Sequence, residues 1–191
     1  MSIFDWFRSK NRPQPDAVYE TASPLNMPAA IVLSREEKKV KERAAALTNI
    51  WADSGSQRFS MQRDTMLWHG GTVSKTSELD DSRSLWCTCD PSNANYYDGS
   101  ARENSQIGGL RPYRLTLATE HSLELANFCG ASLLLFTNEY CDYQHNRMKI
   151  ALRDWCLANS FDGVLNINRG PSEVVVCRPA HNLRIVQAIP L

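Results

Sequence analysis

Hydrophobic and polar positions follow two different periods along the chain, a helical one over residues 40–51 and a strand-like one after residue 65. The helical repeat consists of four apolar residues: Val40, Ala44, Leu47 and Trp51. Ser34 and Glu37 precede it with the spacing of a capping box, in which each side chain accepts a hydrogen bond from the other residue's backbone. The pattern predicts a helix that begins after Ser34 and runs through residue 51.

Seven later runs have the composition of β-strands: TMLWHG, RSLWCTC, YRLTLAT, SLELANF, DGVLNI, EVVVC and LRIVQAI. Two helical segments interrupt them. Asp90 followed by Pro91 predicts the start of a short helix that runs through Tyr97. The segment from Tyr143 to Asn159 repeats apolar residues at helical spacing, as in a helix that lies on a sheet. Short strands with few helices indicate an α+β fold.

Residues 1–33 differ in composition from the rest of the chain. MSIFDWFRSK is rich in apolar and aromatic side chains, and four prolines follow it: Pro13, Pro15, Pro24 and Pro28. This pattern predicts a short docking element and an extended linker ahead of one folded domain over residues 34–191. The docking element could contact a membrane surface or a partner, but packing on the domain as a lid is the commoner arrangement.

The composition limits the class of partner and the compartment. Lysine plus arginine and aspartate plus glutamate each number 21, so net charge gives no reason to expect a polyanion, although a local basic patch could bind one. The six cysteines form no CxxC pair and no zinc-like cluster, which favours reduced thiols and no bound metal. With no signal sequence and no apolar run near about 20 residues, we expect a cytoplasmic chain, or one exported by a non-Sec route into a target-cell cytoplasm.

The stretch LWHGGT is the first candidate for chemistry. His69 follows two large apolar residues that fit a buried strand, and the glycines after it would let a ligand approach the backbone of Gly70. This arrangement suits a flat ligand that carries an amide. Taken alone, the stretch is explained as well by a core histidine before a glycine turn.

The stretch LWCTCDPSNANYY is the second candidate. Trp86 stands near the end of a predicted strand, Thr88 could brace it, and the turn at Asp90 brings Tyr97 back toward the same strand. Two rings held in this way could clamp a third flat ring, and more tightly where the trapped ring is cationic, as nicotinamide is in oxidised NAD. The competing interpretation is a pair of core aromatics.

The stretch GPSEVVVCRP supplies a carboxylate at the start of a predicted strand, Glu173. Cleavage of the nicotinamide–ribose bond builds positive charge on the ribose, as in glycoside hydrolysis. A fixed carboxylate stabilises that charge and accepts a hydrogen bond from a ribose hydroxyl. A single glutamate before a strand is usually a solvated edge charge, so the interpretation depends on the three stretches together.

The order of histidine, paired aromatics and glutamate resembles the His-Tyr-Glu branch of the ADP-ribosyltransferase superfamily, which includes diphtheria-toxin-like toxins and the poly(ADP-ribose) polymerases. LWHGGT is similar to that family's aromatic-His-Gly-Thr strand, with Thr72 in the threonine position. WCTCDPSNANYY is similar to its strand, turn and Ala-x-x-Tyr helix, with Ala94 and Tyr97 in the matching places. The resemblance covers roughly residues 65 to 190.

The resemblance implies a split β-sandwich core behind an N-terminal helical segment, and NAD as a substrate with no metal. Trp86 and Tyr97 would then sandwich nicotinamide, braced by Thr88, and the backbone of Gly70 would bind the carboxamide. His69 would hold a ribose hydroxyl. Glu173, with His69, would be catalytic.

The sequence departs from the family patterns in three ways, and the last two bear on the acceptor. Trp86 stands where the first clamp residue is usually tyrosine, which enlarges the stacking face. Pro171 stands two residues before Glu173, where the arginine-modifying Arg-Ser-Glu branch has Glu or Gln, and no Ser-Thr-Ser strand is present. Arginine is therefore disfavoured as the acceptor.

The function predicted on this basis is mono-ADP-ribosylation of a macromolecule, protein rather than nucleic acid, by a bacterial effector or defence-system toxin that has an immunity or antitoxin partner. Three alternatives stay open: a non-catalytic member that binds an NAD-like ligand or a protein, a nucleic-acid transferase or NAD glycohydrolase, and an unrelated interaction domain. Acceptor recognition is expected in loops at residues 98–112 and 137–147.

Overall fold

A computed structural model of the chain describes residues 34–128, 145–166 and 172–191, except for the side chains of residues 145–147. The helices in these ranges are α1 (Arg35–Asp53), α2 (Ala94–Gly108), α3 (His145–Ala158) and the single turn α4 (Pro179–Asn182). The strands are β1 (Gln57–Met61), β2 (Met66–Gly71), β3 (Leu85–Thr88), β4 (Tyr113–Thr119), β5 (Leu123–Asn127), β6 (Gly163–Leu165), β7 (Glu173–Val176) and β8 (Leu183–Pro190). The predicted docking segment at residues 1–33 lies outside these ranges, as do residues 137–144 of a predicted acceptor loop.

The eight strands form one sheet in the order β1-β5-β6-β7-β3-β2-β4-β8. Neighbouring strands are antiparallel except β5 and β6, which are parallel. The α+β prediction is confirmed, and the sheet is mixed. None of the helices in the described ranges is long and apolar enough to cross a membrane.

The predicted capping box begins α1. The backbone N–H of Ser34 donates to Glu37 Oε2 at 2.7 Å, and the backbone N–H of Glu37 donates to Ser34 Oγ at 3.2 Å. These bonds lower the pKa of Glu37. The inward face of the helix then buries Leu47, and Thr48 accepts a hydrogen bond from the indole of Trp155 on α3 at 3.0 Å.

Two apolar clusters fill the interior. One, the helix-side cluster, joins α1 and α3 to the sheet: Leu47, Ala126, Phe128, Leu152, Trp155, Cys156, Phe161, Val164, Val175 and Cys177. The second cluster includes Leu67, Cys87, Leu115 and Leu125, together with Val174 and Val176. Because neighbouring residues of β7 belong to different clusters, the clusters lie on opposite faces of the sheet. The continuous run EVVVC is therefore a central strand buried on both faces.

Helix α2 is longer than the sequence predicted. It follows a 3-10 turn at Pro91–Asn93 and extends to Gly108, beyond which Gly109 adopts a left-handed φ of 66°. The prediction of a loop at 98–112 is thus wrong for residues 98–108, which are helical, while a role of the segment in acceptor recognition stays a prediction. The segment is mostly polar, although Ala101 is fully buried, so its hydrophobic period is too weak to predict a helix.

An edge strand and a disulfide were also not predicted from the sequence. Strand β1 is exposed except for Met61 and is held by pairing with β5, so it has no apolar run to mark it. Cys156 and Cys177 form a disulfide with Cα atoms 6.5 Å apart, against the expectation of reduced thiols. The pairing arises because the end of α3 packs on the end of β7, which cysteine spacing does not show.

Close packing of α2 on β2 depends on Gly70. A Cβ atom there would overlap the backbone carbonyl of Tyr97 on α2. Arg114 on β4 holds the same helix: its guanidinium forms an ion pair with Asp98, which is buried, and donates to Asn95 Oδ1 at 2.9 Å. The ion pair raises the pKa of Arg114.

We expect Gly70→Ala to lower the free energy of unfolding by about 1–3 kcal/mol, because the added methyl group must push α2 away from β2. Gly99→Ala is the matched control, since an added Cβ there meets no atom within 4 Å. It should stabilise the protein by about 0.5–1 kcal/mol, as alanine does in an exposed helix. Chemical denaturation measures both, and a Gly70→Ala protein as stable as wild type would contradict this packing.

Candidate functional site

The site is built where β2 and β3 meet. Strand β3 pairs with β7 along its whole length, but its pairing with β2 is limited to Trp68 opposite Thr88. Beyond that pair, carbonyl groups of β3 form hydrogen bonds with side chains instead of with the backbone of β2. His69 of β2 and Tyr97 of α2 bind the neighbouring carbonyls of Trp86 and Cys87.

The imidazole of His69 is fixed in one tautomer. Its Nδ1 lies 2.6 Å from the carbonyl oxygen of Trp86, and because a carbonyl oxygen only accepts, Nδ1 carries the proton. The other ring nitrogen, Nε2, is then an acceptor. A Cβ at Gly71 would lie 2.9 Å from Nε2, so the absence of a side chain there leaves room beside this nitrogen.

His69 is neutral at physiological pH. Burial lowers the pKa of His69 to about 4, the charges of Lys149 and Arg83 lower it as well, and the bond to the Trp86 carbonyl acts in the opposite direction. The group therefore offers a hydrogen-bond acceptor and no positive charge. An acceptor of this kind suits a hydroxyl donor.

Tyr97 is buried, and its hydroxyl donates to the carbonyl of Cys87 at 3.2 Å. Its ring centroid lies 6.2 Å from that of His69, with the planes inclined by 51°. Burial raises the pKa of Tyr97, and the carboxylate of Glu173 raises it further. The phenol therefore stays protonated.

Trp86 is partly buried and packs against the helix-side cluster. Thr88 is buried beyond it, and its predicted bracing of the indole stays a prediction. Its hydroxyl accepts from the backbone N–H of Asp90 at 3.1 Å and fixes the turn that leads to α2. The carboxylate of Asp90 accepts from the N–H of Ser92 at 2.9 Å, so the predicted N-cap is confirmed.

Glu173 is the first residue of β7 and is half-buried. It stands opposite Thr88, and alternation along β7 places it on the same face as Val175, the face of the helix-side cluster. Its carbonyl accepts from the N–H of Asn166 at 3.0 Å. The preceding residue, Ser172, binds the N–H of Cys89 at 2.9 Å, so the backbone is held on both sides of the glutamate.

The remaining predicted site residues lie on or after β2. Gly70 pairs with Arg114 of β4, and its missing side chain is explained by the packing of α2. Thr72 follows the last residue of the strand and is half-buried. Binding of a carboxamide by Gly70 and a role for Thr72 stay predictions.

The structure thus places His69 and Tyr97 on neighbouring carbonyls of β3, and Glu173 opposite Thr88 on the strand that pairs with β3. The sequence did not indicate that Lys149 of α3 acts on His69, because some 80 positions separate them and α3 showed only its apolar period. In the described parts of the chain, no group of three or more His, Cys, Asp and Glu residues could hold a metal ion. The chemistry available is a neutral acceptor, a buried phenol and a fixed carboxylate.

Comparison with known proteins finds one weak structural similarity. No protein-family model matches the chain, and no curated protein matches it. Among solved structures, the chain is weakly similar to the M. tuberculosis MbcT-MbcA toxin-antitoxin complex, with a TM-score of 0.39 and 12% sequence identity over 81% of this chain and 92% of that chain. A likeness of this size carries no inference about function.

The depressed pKa of His69 predicts a pH-dependent loss of stability. Between pH 6.5 and about pH 4, the unfolded chain binds a proton at His69 that the folded chain does not, so the free energy of unfolding falls as the pH falls through this window. The loss should be on the order of 2–3 kcal/mol at its largest. In His69→Asn, whose amide can still donate to the Trp86 carbonyl, this component should vanish.

Urea denaturation at several pH values between 4 and 7 measures the difference between wild type and His69→Asn. His181→Asn, at an exposed position, is the matched control. Parallel stability profiles for wild type and His69→Asn would show that His69 titrates alike in both states, against the burial described here.

Proposed function

We propose that the chain is an NAD-dependent mono-ADP-ribosyltransferase that cleaves the nicotinamide–ribose bond and transfers ADP-ribose to a macromolecule, with protein favoured over nucleic acid. The observation that carries the proposal is the convergence of His69 and Tyr97 on neighbouring carbonyls of β3, with Glu173 opposite Thr88 of the same strand. These are three of the residues that the family resemblance assigns to NAD.

Each group has a role in binding that its chemistry suits. Nε2 of His69 accepts a hydrogen bond from a ribose hydroxyl, since Nδ1 already donates to the Trp86 carbonyl. The nicotinamide ring stacks between Tyr97 and the exposed part of Trp86. The backbone of Gly70 binds the carboxamide, with Thr72 beside it.

In the reaction, the electrons of the C–N bond pass to the nicotinamide ring and neutralise its charge, while positive charge builds on the ribose. Glu173 stabilises that charge. A nucleophilic atom of the acceptor then bonds to the ribose carbon and loses its proton. With water in place of the acceptor, the same steps give NAD hydrolysis.

The alternatives predict different outcomes of the same assay. A non-catalytic member binds NAD and releases no nicotinamide, and a glycohydrolase releases nicotinamide without labelling a macromolecule. An unrelated interaction domain shows neither. An effector or toxin role, with an immunity or antitoxin partner, follows from the family resemblance and is tested by identifying the labelled species.

The stacking role is tested by substitutions that separate ring from hydroxyl. Tyr97→Phe should keep NAD affinity and lower stability by roughly 0.5–1.5 kcal/mol, because it loses the bond to the Cys87 carbonyl and keeps the ring. Trp86→Ala should weaken NAD binding by about 1–3 kcal/mol. Calorimetry on folded protein measures both. Unchanged NAD affinity in Trp86→Ala would show that the indole packs in the core and does not contact NAD.

The catalytic role is tested by Glu173→Gln, which keeps size and hydrogen bonding and removes the charge. Ground-state affinity for NAD should persist, while nicotinamide release and acceptor labelling fall by a factor of about 10² to 10³. Glu124→Gln on β5, at an exposed strand position, is the matched control and should leave both rates unchanged.

Single-turnover measurements at saturating NAD compare wild type, Glu173→Gln and Glu124→Gln side by side. Equal rates in all three would show that Glu173 is a strand-edge charge. If wild type released no nicotinamide, the transferase proposal would be wrong, and the alternative of a binding protein would remain.

A further inference from the structure

A side-chain hydrogen bond joins the start of β7 to the start of α2. Nδ2 of Asn93 donates to the hydroxyl oxygen of Ser172 at 2.8 Å, across 79 positions of sequence. Ser172 directly precedes Glu173 on the chain, and Asn93 directly precedes α2, which carries Tyr97. The bond therefore links the two elements that carry the candidate carboxylate and one of the candidate stacking rings.

The turn between β3 and α2 also holds Ser172 by its backbone. The N–H of Cys89 donates to the Ser172 carbonyl at 2.9 Å, and the Cys89 thiol donates to the same oxygen at 3.4 Å. The backbone bond continues the pairing of β3 with β7, so it fixes Glu173 within the sheet. The bond from Asn93 differs because it reaches Ser172 from the beginning of a helix that packs on β2.

Asn93 is not needed to begin the helix. Asparagine is common at helix starts because its side chain accepts a hydrogen bond from the first backbone N–H groups, but Asn93 makes no such bond. Asp90 instead caps the 3-10 turn that ends at Asn93, where its carboxylate accepts from Ser92. The side-chain amide of Asn93 is directed at Ser172. Its role therefore lies in the link between α2 and β7.

Loss of this link would affect the position of Glu173 more than that of Tyr97. The Tyr97 hydroxyl would stay bound to the Cys87 carbonyl, and the ion pair of Asp98 with Arg114 would stay in place. Helix α2 thus keeps two other contacts with the sheet. The start of β7 keeps its strand pairing but loses its link to α2, so the glutamate can shift relative to the ring.

We propose that Asn93 is a positioning residue, which through Ser172 holds Glu173 at the distance from Tyr97 that the reaction requires. The assignment rests on the proposed function for the role of Glu173. The link itself depends on the hydrogen bonds of Ser172 with the turn before α2. Misplacement of a catalytic group by about 1 Å can cost on the order of 10²-fold in rate, so a bond remote from the reacting atoms can control turnover.

The test compares nicotinamide release from NAD by wild type, Asn93→Ala, Ser172→Ala and the double variant. Each single variant should lower kcat about 10- to 100-fold and change KM for NAD by less than about 2-fold, because the stacking ring keeps its contacts. The double variant should be no slower than either single variant, since both substitutions remove the same bond. Additive losses would overturn the proposal. Ser172→Ala alone decides the question if Asn93→Ala does not fold.

Asn95→Ala is the matched control. Asn95 is an exposed asparagine on the same helix, and it accepts a hydrogen bond from Arg114 instead of joining β7. The control should lower the unfolding midpoint by roughly 1–6 °C, as Asn93→Ala does, and leave kcat at the wild-type value. Equal losses of kcat in Asn93→Ala and Asn95→Ala would show a general effect of helix stability and would contradict a positioning role.

A conservative substitution should restore the rate. In Asn93→Asp, the carboxylate can accept a hydrogen bond from the Ser172 hydroxyl, so the link is remade with the donor and acceptor exchanged. We expect its kcat to return to within about 3-fold of wild type, and to fall again when Ser172→Ala is added. A value of kcat as low as that of Asn93→Ala would count against the link.

Amide hydrogen exchange tests the link without turnover. In Asn93→Ala, the amide of Cys89 should exchange about 10-fold faster than in wild type, because the Ser172 carbonyl that it binds is held less firmly. An unchanged exchange rate would overturn the proposal even where Glu173→Gln abolishes nicotinamide release. If wild type released no nicotinamide, the transferase and the positioning role would both be wrong, and faster exchange would still establish the link between α2 and β7.

Discussion

Two neighbouring carbonyl groups of β3 organise the candidate site. The Trp86 carbonyl fixes the tautomer of His69, and the Cys87 carbonyl fixes the hydroxyl of Tyr97, at the place where β3 and β2 cease to pair. Tyr97 can reach its carbonyl because α2 packs closely on β2, and that approach requires the missing side chain of Gly70. The hydrogen bonds to the β3 carbonyls, the packing of α2 on β2 and the chemistry of His69 and Tyr97 therefore depend on one another.

The sequence was sufficient where a local physical signal was strong. The capping box at Ser34 fixed the start of α1, and the run EVVVC predicted a strand that proved to be buried on both faces. It was insufficient where order comes from distant contacts: β1 is an exposed edge strand, and α2 continues past Tyr97, where Asp98 is held by an ion pair with Arg114. The hydrophobic period of the sequence does not indicate either contact.

The candidate residues divide in the same way. The sequence indicated His69 and Tyr97, and the structure places both on neighbouring carbonyls of β3, because the turn at Asp90 that leads to Tyr97 has a strong local signal. That β7 pairs with β3 and brings Glu173 opposite Thr88 depends on long-range strand pairing, which no local signal predicts. The sequence did not predict that the hydroxyl of Thr88 binds the turn backbone. The contact of the Lys149 carbonyl with Ser84 was missed because it depends on the packing of α3 against the start of β3.

The protonation states at β3 restrict the chemistry of a leaving group. His69 is neutral, with its one proton committed to the Trp86 carbonyl, and the raised pKa of Tyr97 keeps its proton on the phenol. Neither group is a ready general acid near neutral pH, and an ordinary glycoside needs one to protonate its leaving oxygen. Nicotinamide leaves NAD as a neutral molecule from a ring that is already cationic, so its departure needs no acid. The proposed function therefore needs no proton from His69 or Tyr97.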